Sequence, residues 1–327
     1  MSEPSPSPKR PGRLLRLGAA FVVLLAVAGY LVVQYVTGAS GSGCKVVAGD
    51  GADRTYEFTP EQAVNAATIS AVGTARGLPE RAVTIALGTA MQESALRNLD
   101  HGDRDSLGLF QQRPSQGWGT EQQIMDPVYS ANEFYEHLEK VPDYTELPLT
   151  EAAQLVQRSG FPTAYAKHEP DAQLLADAFT GRSAATLTCA GRPDTTQPQG
   201  QARAAGPDAV RSALVRDFGQ LEQTGAEVSA DGQGTPSPSP TGVTTETSGR
   251  TVTVPVTPDT NEASGSTAEE RGWQVAHWAV ANASALRIEN VSFAGRQWTA
   301  GTSDEPWTTV DAGDDTSRDA VRIVTAR

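Results

Sequence analysis

Residues 91–114, MQESALRNLDHGDRDSLGLFQQRP, hold two separate sets of side chains that could do chemistry. One is the cluster Asp100, His101, Asp103 and Asp105, rich enough in oxygen and nitrogen to suggest a cation loop. The other is Glu93, at the end of an apolar run and followed by Gly108-Leu109-Phe110-Gln111. A calcium loop sets oxygen ligands at alternate positions, glycine at the sixth and a closing glutamate at the twelfth. Counted from Asp103, the first, third and sixth positions fit, but the fifth is Leu107 and the twelfth Pro114. Counted from Asp100, the third is Gly102 and the fifth Arg104. Neither register makes a metal site, so the Asp and Gly residues read as turn formers between two helices. One of the aspartates could still orient a water molecule.

Glu93 calls for different chemistry. On a helix, its neighbours one, two and three turns earlier on the same face are Thr89/Ala90, Ala86 and Ala82. A carboxyl group at the end of such a small, apolar stripe is desolvated. Desolvation raises its pKa and keeps a proton available for a leaving oxygen near neutral pH. The plain reading is a last-turn glutamate at the helix surface.

The order Glu93-Ser94, an intervening loop, Gly108-Leu109-Phe110-Gln111 and then Pro114 resembles the soluble lytic transglycosylase family of the lysozyme-like superfamily. The resemblance covers residues 59–181, and its specific part only 93–114. It implies peptidoglycan glycan strands as substrate and Glu93 as both acid and base. Glu93 would protonate the glycosidic oxygen and then help the muramoyl C6 hydroxyl attack the anomeric carbon. That route needs no second carboxylate, unlike the paired-carboxylate glycosidases. It also implies that Ser94 and Gln111 support the sugar and the loop around Glu93. The family's small Gly-Ala pair before Gly108 is replaced within DRDSLG, and its Ala-Tyr-Asn-Ala-Gly helix start is not recognisable. The nearest counterpart, AAQLVQRSGFPTAYAKHE, offers Gln154, Gln157 and Tyr165. Tyr165 is the candidate tyrosine facing the site, with a core aromatic as the alternative. Trp118 could stack on a sugar face or pack the loop.

The elements that must position these groups are helices. Thr59-Pro60-Glu61 starts one, which runs to a Gly stop, and Pro79-Glu80 opens the helix that carries Glu93. Asp126 caps a third; Thr150 and Glu169-Pro170 begin two more. No run over 44–190 alternates with period two at strand length, which predicts an all-α domain. Residues 191–267 are rich in Pro, Gly, Ser, Thr and Gln, a linker composition, with one amphipathic helix indicated over 208–221. Residues 268–327 predict a small α/β domain: a helix in GWQVAHWAVANASAL, then strands at 288–293, 296–299 and 320–325. This unit resembles a domain that recurs at the end of secreted cell-wall hydrolases of high-GC Gram-positive bacteria. It holds Trp273, Trp278, Trp298 and Trp307, which form either a wall-binding face or the core of a small domain.

The net charge is −13. Lys9, Arg10, Arg13 and Arg16 against Glu3 give residues 1–16 a charge of +3, leaving −16 for the rest. So acidic a body repels polyanions, which argues against nucleic acid as a partner. The uncharged run over 17–36 would make a helix of about 30 Å, the thickness of a hydrocarbon core. With the basic tail ahead of it, the run predicts a transmembrane anchor with the N-terminus in the cytoplasm and the bulk extracytoplasmic. A cleaved signal peptide is the alternative. Outside the membrane, Cys44 and Cys189 are expected to form a disulfide across the ends of the 44–190 domain. His101, His137, His168 and His277 form no zinc-peptidase set, and there is no Gly-x-Ser-x-Gly elbow.

The expected fold class is therefore mainly α: an N-terminal transmembrane helix, an all-α lysozyme-like domain, a disordered linker and a small α/β C-terminal domain. The expected function is cleavage of MurNAc-β-1,4-GlcNAc bonds by Glu93 without cofactor or metal, as a lytic transglycosylase or a muramidase. A catalytically inactive wall-binding or assembly protein is the alternative.

Overall fold

The computed structural model describes residues 43–158, 163–190, 206–219, 245–256, 266–301, 307–310 and 318–326. Strand β1 (Cys44–Val47) pairs antiparallel with β2 (Thr55–Phe58) on one edge and β3 (Leu187–Cys189) on the other. In this register Cys44 stands opposite Cys189, and the two are joined by a disulfide with S–S 2.02 Å. The bond closes a 145-residue loop, an entropic restraint on the unfolded chain of about 5 kcal/mol in the chain-entropy model.

Between β2 and β3 lie the helices. Thr59 and Gln62 form a capping box at the start of α1 (Pro60–Ala75). Its Ala63, Ala66, Ala67, Ser70, Ala71 and Gly73 are all buried, so neighbours approach it closely from every side. Helix α2 (Glu80–Ser94) is buried from Ala82 through Met91. After the short α3 (Glu121–Ile124), Asp126 caps α4 (Pro127–Glu139) by accepting from the N–H groups of Val128 and Tyr129. Helices α5 (Leu149–Gln157) and α6 (Glu169–Phe179) complete the set, and α2 packs against α1, α4, α5 and α6. The helix that carries Glu93 is thus enclosed along most of its length.

Helix α7 (Pro207–Phe218) is amphipathic and buries Ala209, Val210, Ala213, Leu214 and Phe218 against the same body. The remaining elements are β4 (Glu246–Ser248), β5 (Thr251–Pro255), α8 (Ala268–Ala281), α9 (Ala283–Leu286), β6 (Ile288–Phe293), β7 (Arg296–Thr299), β8 (Thr308–Thr309) and β9 (Ala320–Thr325). The strands form one antiparallel sheet in the order β4-β5-β9-β6-β7-β8. Its register aligns Val252, Ile323, Val291 and Trp298 in one buried row across four strands. Helix α8 is buried from Gly272 to Ala281 because it has neighbours on opposite sides: β6 and β9, and also α1, α6 and β3. Ser42–Arg327 is accordingly a single compact unit.

Two expectations are corrected. The chain is not mainly α with separate parts: nine α-helices among the described residues share the structure with two antiparallel sheets. The three-stranded sheet escapes a periodicity test because its strands have three or four residues and β3 is buried throughout. The wider sheet recruits β4 and β5 from the stretch that reads as disordered linker, since Val252 and Val254 face its core. Second, the single-pass anchor is not supported. Among the described residues no helix is long and apolar enough to cross a membrane. The longest, α1, has 16 residues, about 24 Å, short of a hydrocarbon core. The run over 17–36, on which the anchor and the N-in orientation rested, lies outside the described residues.

Candidate active site

Helix α2 stops abruptly. Ala95 and Leu96 both take left-handed backbone conformations, and their N–H groups return to Met91 O and Ala90 O, each at 3.1 Å. Leu96 is fully buried and seals this end, leaving Glu93 half-buried on the last turn. The next residue ties the helix to the following loop: Ser94 Oγ donates to Leu109 O at 2.7 Å and accepts from Arg97 N–H at 3.2 Å.

That loop is held by the bridges Leu99–Gly108 and Leu107–Gln112. Gly108 has φ +76°, and a Cβ there would stand 2.7 Å from Ile124 O, so glycine is required. Gln111, also left-handed at φ +49°, turns its amide back to Gly108 O (3.3 Å) and His101 O (3.4 Å). Phe110 is fully buried and stacked on Phe134 with ring centroids 4.6 Å apart. Of the conspicuous acids, Asp105 accepts from Arg113 Nε at 2.8 Å and Ser115 N–H at 2.9 Å. The Arg113 guanidinium holds its carboxyl well below the usual carboxylate range. Asp100 pairs with His101 at the surface, 2.7 Å away. No group of three His, Cys, Asp or Glu side chains is gathered for a metal among the described residues.

Two later segments close on Glu93 and the loop behind it. Tyr165, fully buried, donates its hydroxyl to Glu93 Oε1 at 2.5 Å. It leads into the 3-10 turn Ala166–His168, where His168 Nε2 lies 3.1 Å from Gln92 Oε1. Two neighbouring side-chain pairs therefore clamp this turn onto the last turn of α2. From the end of α5, Gln157 Nε2 donates to Phe110 O at 2.6 Å. Burial pushes the Glu93 carboxyl above its ordinary pKa, and the Tyr165 hydrogen bond pulls part of the way back. Among the described residues no second carboxylate contributes to that balance.

The structure thus brings Glu93, Ser94, Tyr165 and the Gly108–Gln111 turn together. Gln111 is engaged within its own loop, and Trp118 lies against His137 of α4, ring centroids 4.2 Å apart. Gln157 was visible in sequence only as part of a poor counterpart to a missing motif, because its role depends on where α5 ends. In the C-terminal sheet domain Trp273, Trp278, Trp298 and Trp307 are all buried, so they are core.

Residues 222–320 match the family described as the VldE C-terminal domain. The match covers β4 to β8 with α8 and α9, stops at the first residue of β9, and includes none of the residues around Glu93. No curated protein matches the chain. The chain therefore ends in a C-terminal domain similar to that family, joined to a helical body that carries the candidate site.

Proposed function

We propose that this protein cleaves the β-1,4 bond between N-acetylmuramic acid and N-acetylglucosamine in peptidoglycan strands, with Glu93 acting first as acid and then as base. The observation that carries this reading is the Glu93 carboxyl, desolvated at the end of a buried helix and held by the Tyr165 hydroxyl. With Tyr165 donating to Oε1, the acid form can carry its proton on Oε2. Its transfer to the glycosidic oxygen lets the C1–O bond break and leaves Glu93 ionised. Tyr165 then stabilises the new carboxylate. Attack by the C6 hydroxyl of the same muramoyl ring on C1 returns a proton to Glu93 and closes a 1,6-anhydro ring, with no water consumed. Water in place of that hydroxyl would give a reducing end. The soluble lytic transglycosylase resemblance favours the anhydro product.

The test is digestion of purified peptidoglycan by the full chain, with muropeptides identified by mass spectrometry. Anhydro ends are expected, and Glu93→Gln should lower the rate by about 10²–10⁴-fold. Activity should fall as pH rises through the elevated Glu93 pKa, because the acid form is then lost. A parent protein that releases nothing, or a Gln variant as active as the parent, refutes the reading.

A further inference from the structure

We infer that Gln92 and His168 are positioning residues whose hydrogen bond sets the Tyr165 hydroxyl against the Glu93 carboxyl. The kinetic consequence rests on the acid–base reading of Glu93, while the geometry stands without it. Helix α6 runs beside α2 in the opposite direction. Thr84 Oγ lies 3.4 Å from Gln173 Oε1, a Cβ at Gly88 would stand 3.5 Å from that of Ala172, and Gln92 meets His168. The turn that enters α6 is therefore delivered to the last turn of α2, where Glu93 sits.

In a 3-10 turn, side chains three residues apart eclipse one another. His168 N–H closes this turn on Tyr165 O at 3.0 Å, and burial follows the same period. Tyr165 is buried, Ala166 and Lys167 are exposed, and His168 is half-buried. Tyr165 and His168 hence face the same way, toward two consecutive residues of α2. Tyr165 donates to Glu93 Oε1 at 2.5 Å, and His168 Nε2 stands 3.1 Å from Gln92 Oε1. An amide oxygen can only accept, so His168 Nε2 carries the hydrogen. One contact alone leaves the turn free to roll about the Tyr165–Glu93 bond; a second, three residues on, removes that freedom. The charged neighbours of the turn are Lys167, Asp171 and Glu169, the last paired with Arg81. Burial lowers the His168 pKa, so the ring is neutral near pH 7 and acts through geometry, not charge.

The experiment follows the Glu93 side-chain carboxyl by NMR in full-length protein labelled with ¹³C-glutamate, the signal being assigned by its loss in Glu93→Gln. Gln92→Leu and His168→Phe each remove one side of the bond without adding a charge. Each should raise the Glu93 midpoint by about 0.5–1 pH unit, because a carboxylate that loses a donor is harder to form. The double variant should move it no further than either alone, and His168→Gln, which keeps an N–H of similar reach, should restore most of the shift. On peptidoglycan the single variants should lose about 10-fold in kcat with KM little changed, and the falling limb of the pH–rate profile should move up with the midpoint. An unchanged midpoint in Gln92→Leu, whatever its thermal stability, or shifts that add in the double variant, overturns the inference. Should His168→Phe not fold, the Gln92→Leu titration decides alone. If the parent is inactive on peptidoglycan, the enzyme reading fails, while the titration still judges the clamp by itself.

Discussion

Replacing Asp217 with alanine probes whether the C-terminal sheet domain and the helical body are one folded unit. Asp217 sits at the end of α7 with its side chain wholly enclosed. Its Oδ2 accepts from Trp278 Nε1 of α8 at 2.8 Å and from Thr68 Oγ of α1 at 3.3 Å. Arg216 reaches both carboxylate oxygens, at 2.7 and 3.0 Å, but is half-exposed and can return to water. Alanine therefore strands two buried donors. The Thr68 hydroxyl can turn to a carbonyl of the preceding turn, as Ser70 does toward Ala66 O, so its loss is partly recovered. The indole N–H of Trp278, whose ring is enclosed and edge-on to Phe218, has no such escape. One stranded donor costs about 1–3 kcal/mol, and breaking a buried charged contact about 3–5 kcal/mol. The expected loss for Asp217→Ala is thus about 3–5 kcal/mol. Asp217→Asn keeps an acceptor oxygen for Trp278 and should lose roughly half as much. Guanidinium unfolding of the full chain, followed by tryptophan fluorescence and far-ultraviolet circular dichroism, should show one transition moving to lower denaturant by both probes. A loss in Asp217→Ala below about 1 kcal/mol, or a helical transition that stays in place while the tryptophan signal moves, refutes the reasoning.

His277 should give the protein an acid-sensitive stability. The ring is fully buried on α8, its Nδ1–H donates to Ala178 O at 2.7 Å, and burial lowers its pKa to about 4. A histidine whose folded pKa is depressed stabilises the fold above its unfolded pKa near 6.5, and that contribution is lost as pH falls toward the folded value. Stability should therefore drop by about 3 kcal/mol between pH 6.5 and 4, and His277→Gln should flatten that slope in denaturant titrations at a series of pH values. A slope unchanged by the substitution counts against the buried neutral ring. At Gly272, an added Cβ would lie 1.9 Å from the Phe293 ring, so Gly272→Ala should cost about 1–3 kcal/mol by overpacking. Phe293→Leu should cost less in the Gly272→Ala background than in the parent. Additive losses in that double-mutant cycle would mean that α8 does not meet the sheet at this contact.

How much of this could be read from the residues follows from how local each signal is. The caps at Thr59 and Asp126, the Gly stop after α1 and the alternation in β9 are written within a few adjacent residues, and so are their elements. The Glu93 carboxyl was readable too, since a stripe of Ala82, Ala86 and Ala90 specifies an enclosed helix face. What failed was composition used as a proxy for order. The Thr-Val-Thr-Val run of β5 alternates plainly, but it stands among Pro, Ser and Thr residues and reads as linker until β9 supplies its partner. Gln157 shows the same limit at the candidate site. Nothing near position 157 marks the residue as chemical. Its meaning comes from Phe110, 47 positions earlier, whose carbonyl it bonds. A desolvated carboxyl such as Glu93 is legible from its own helix, because the apolar stripe lies on one face. The group that tunes it comes from a separate segment, and only the packing of the Tyr165 turn against α2 brings it within bonding distance.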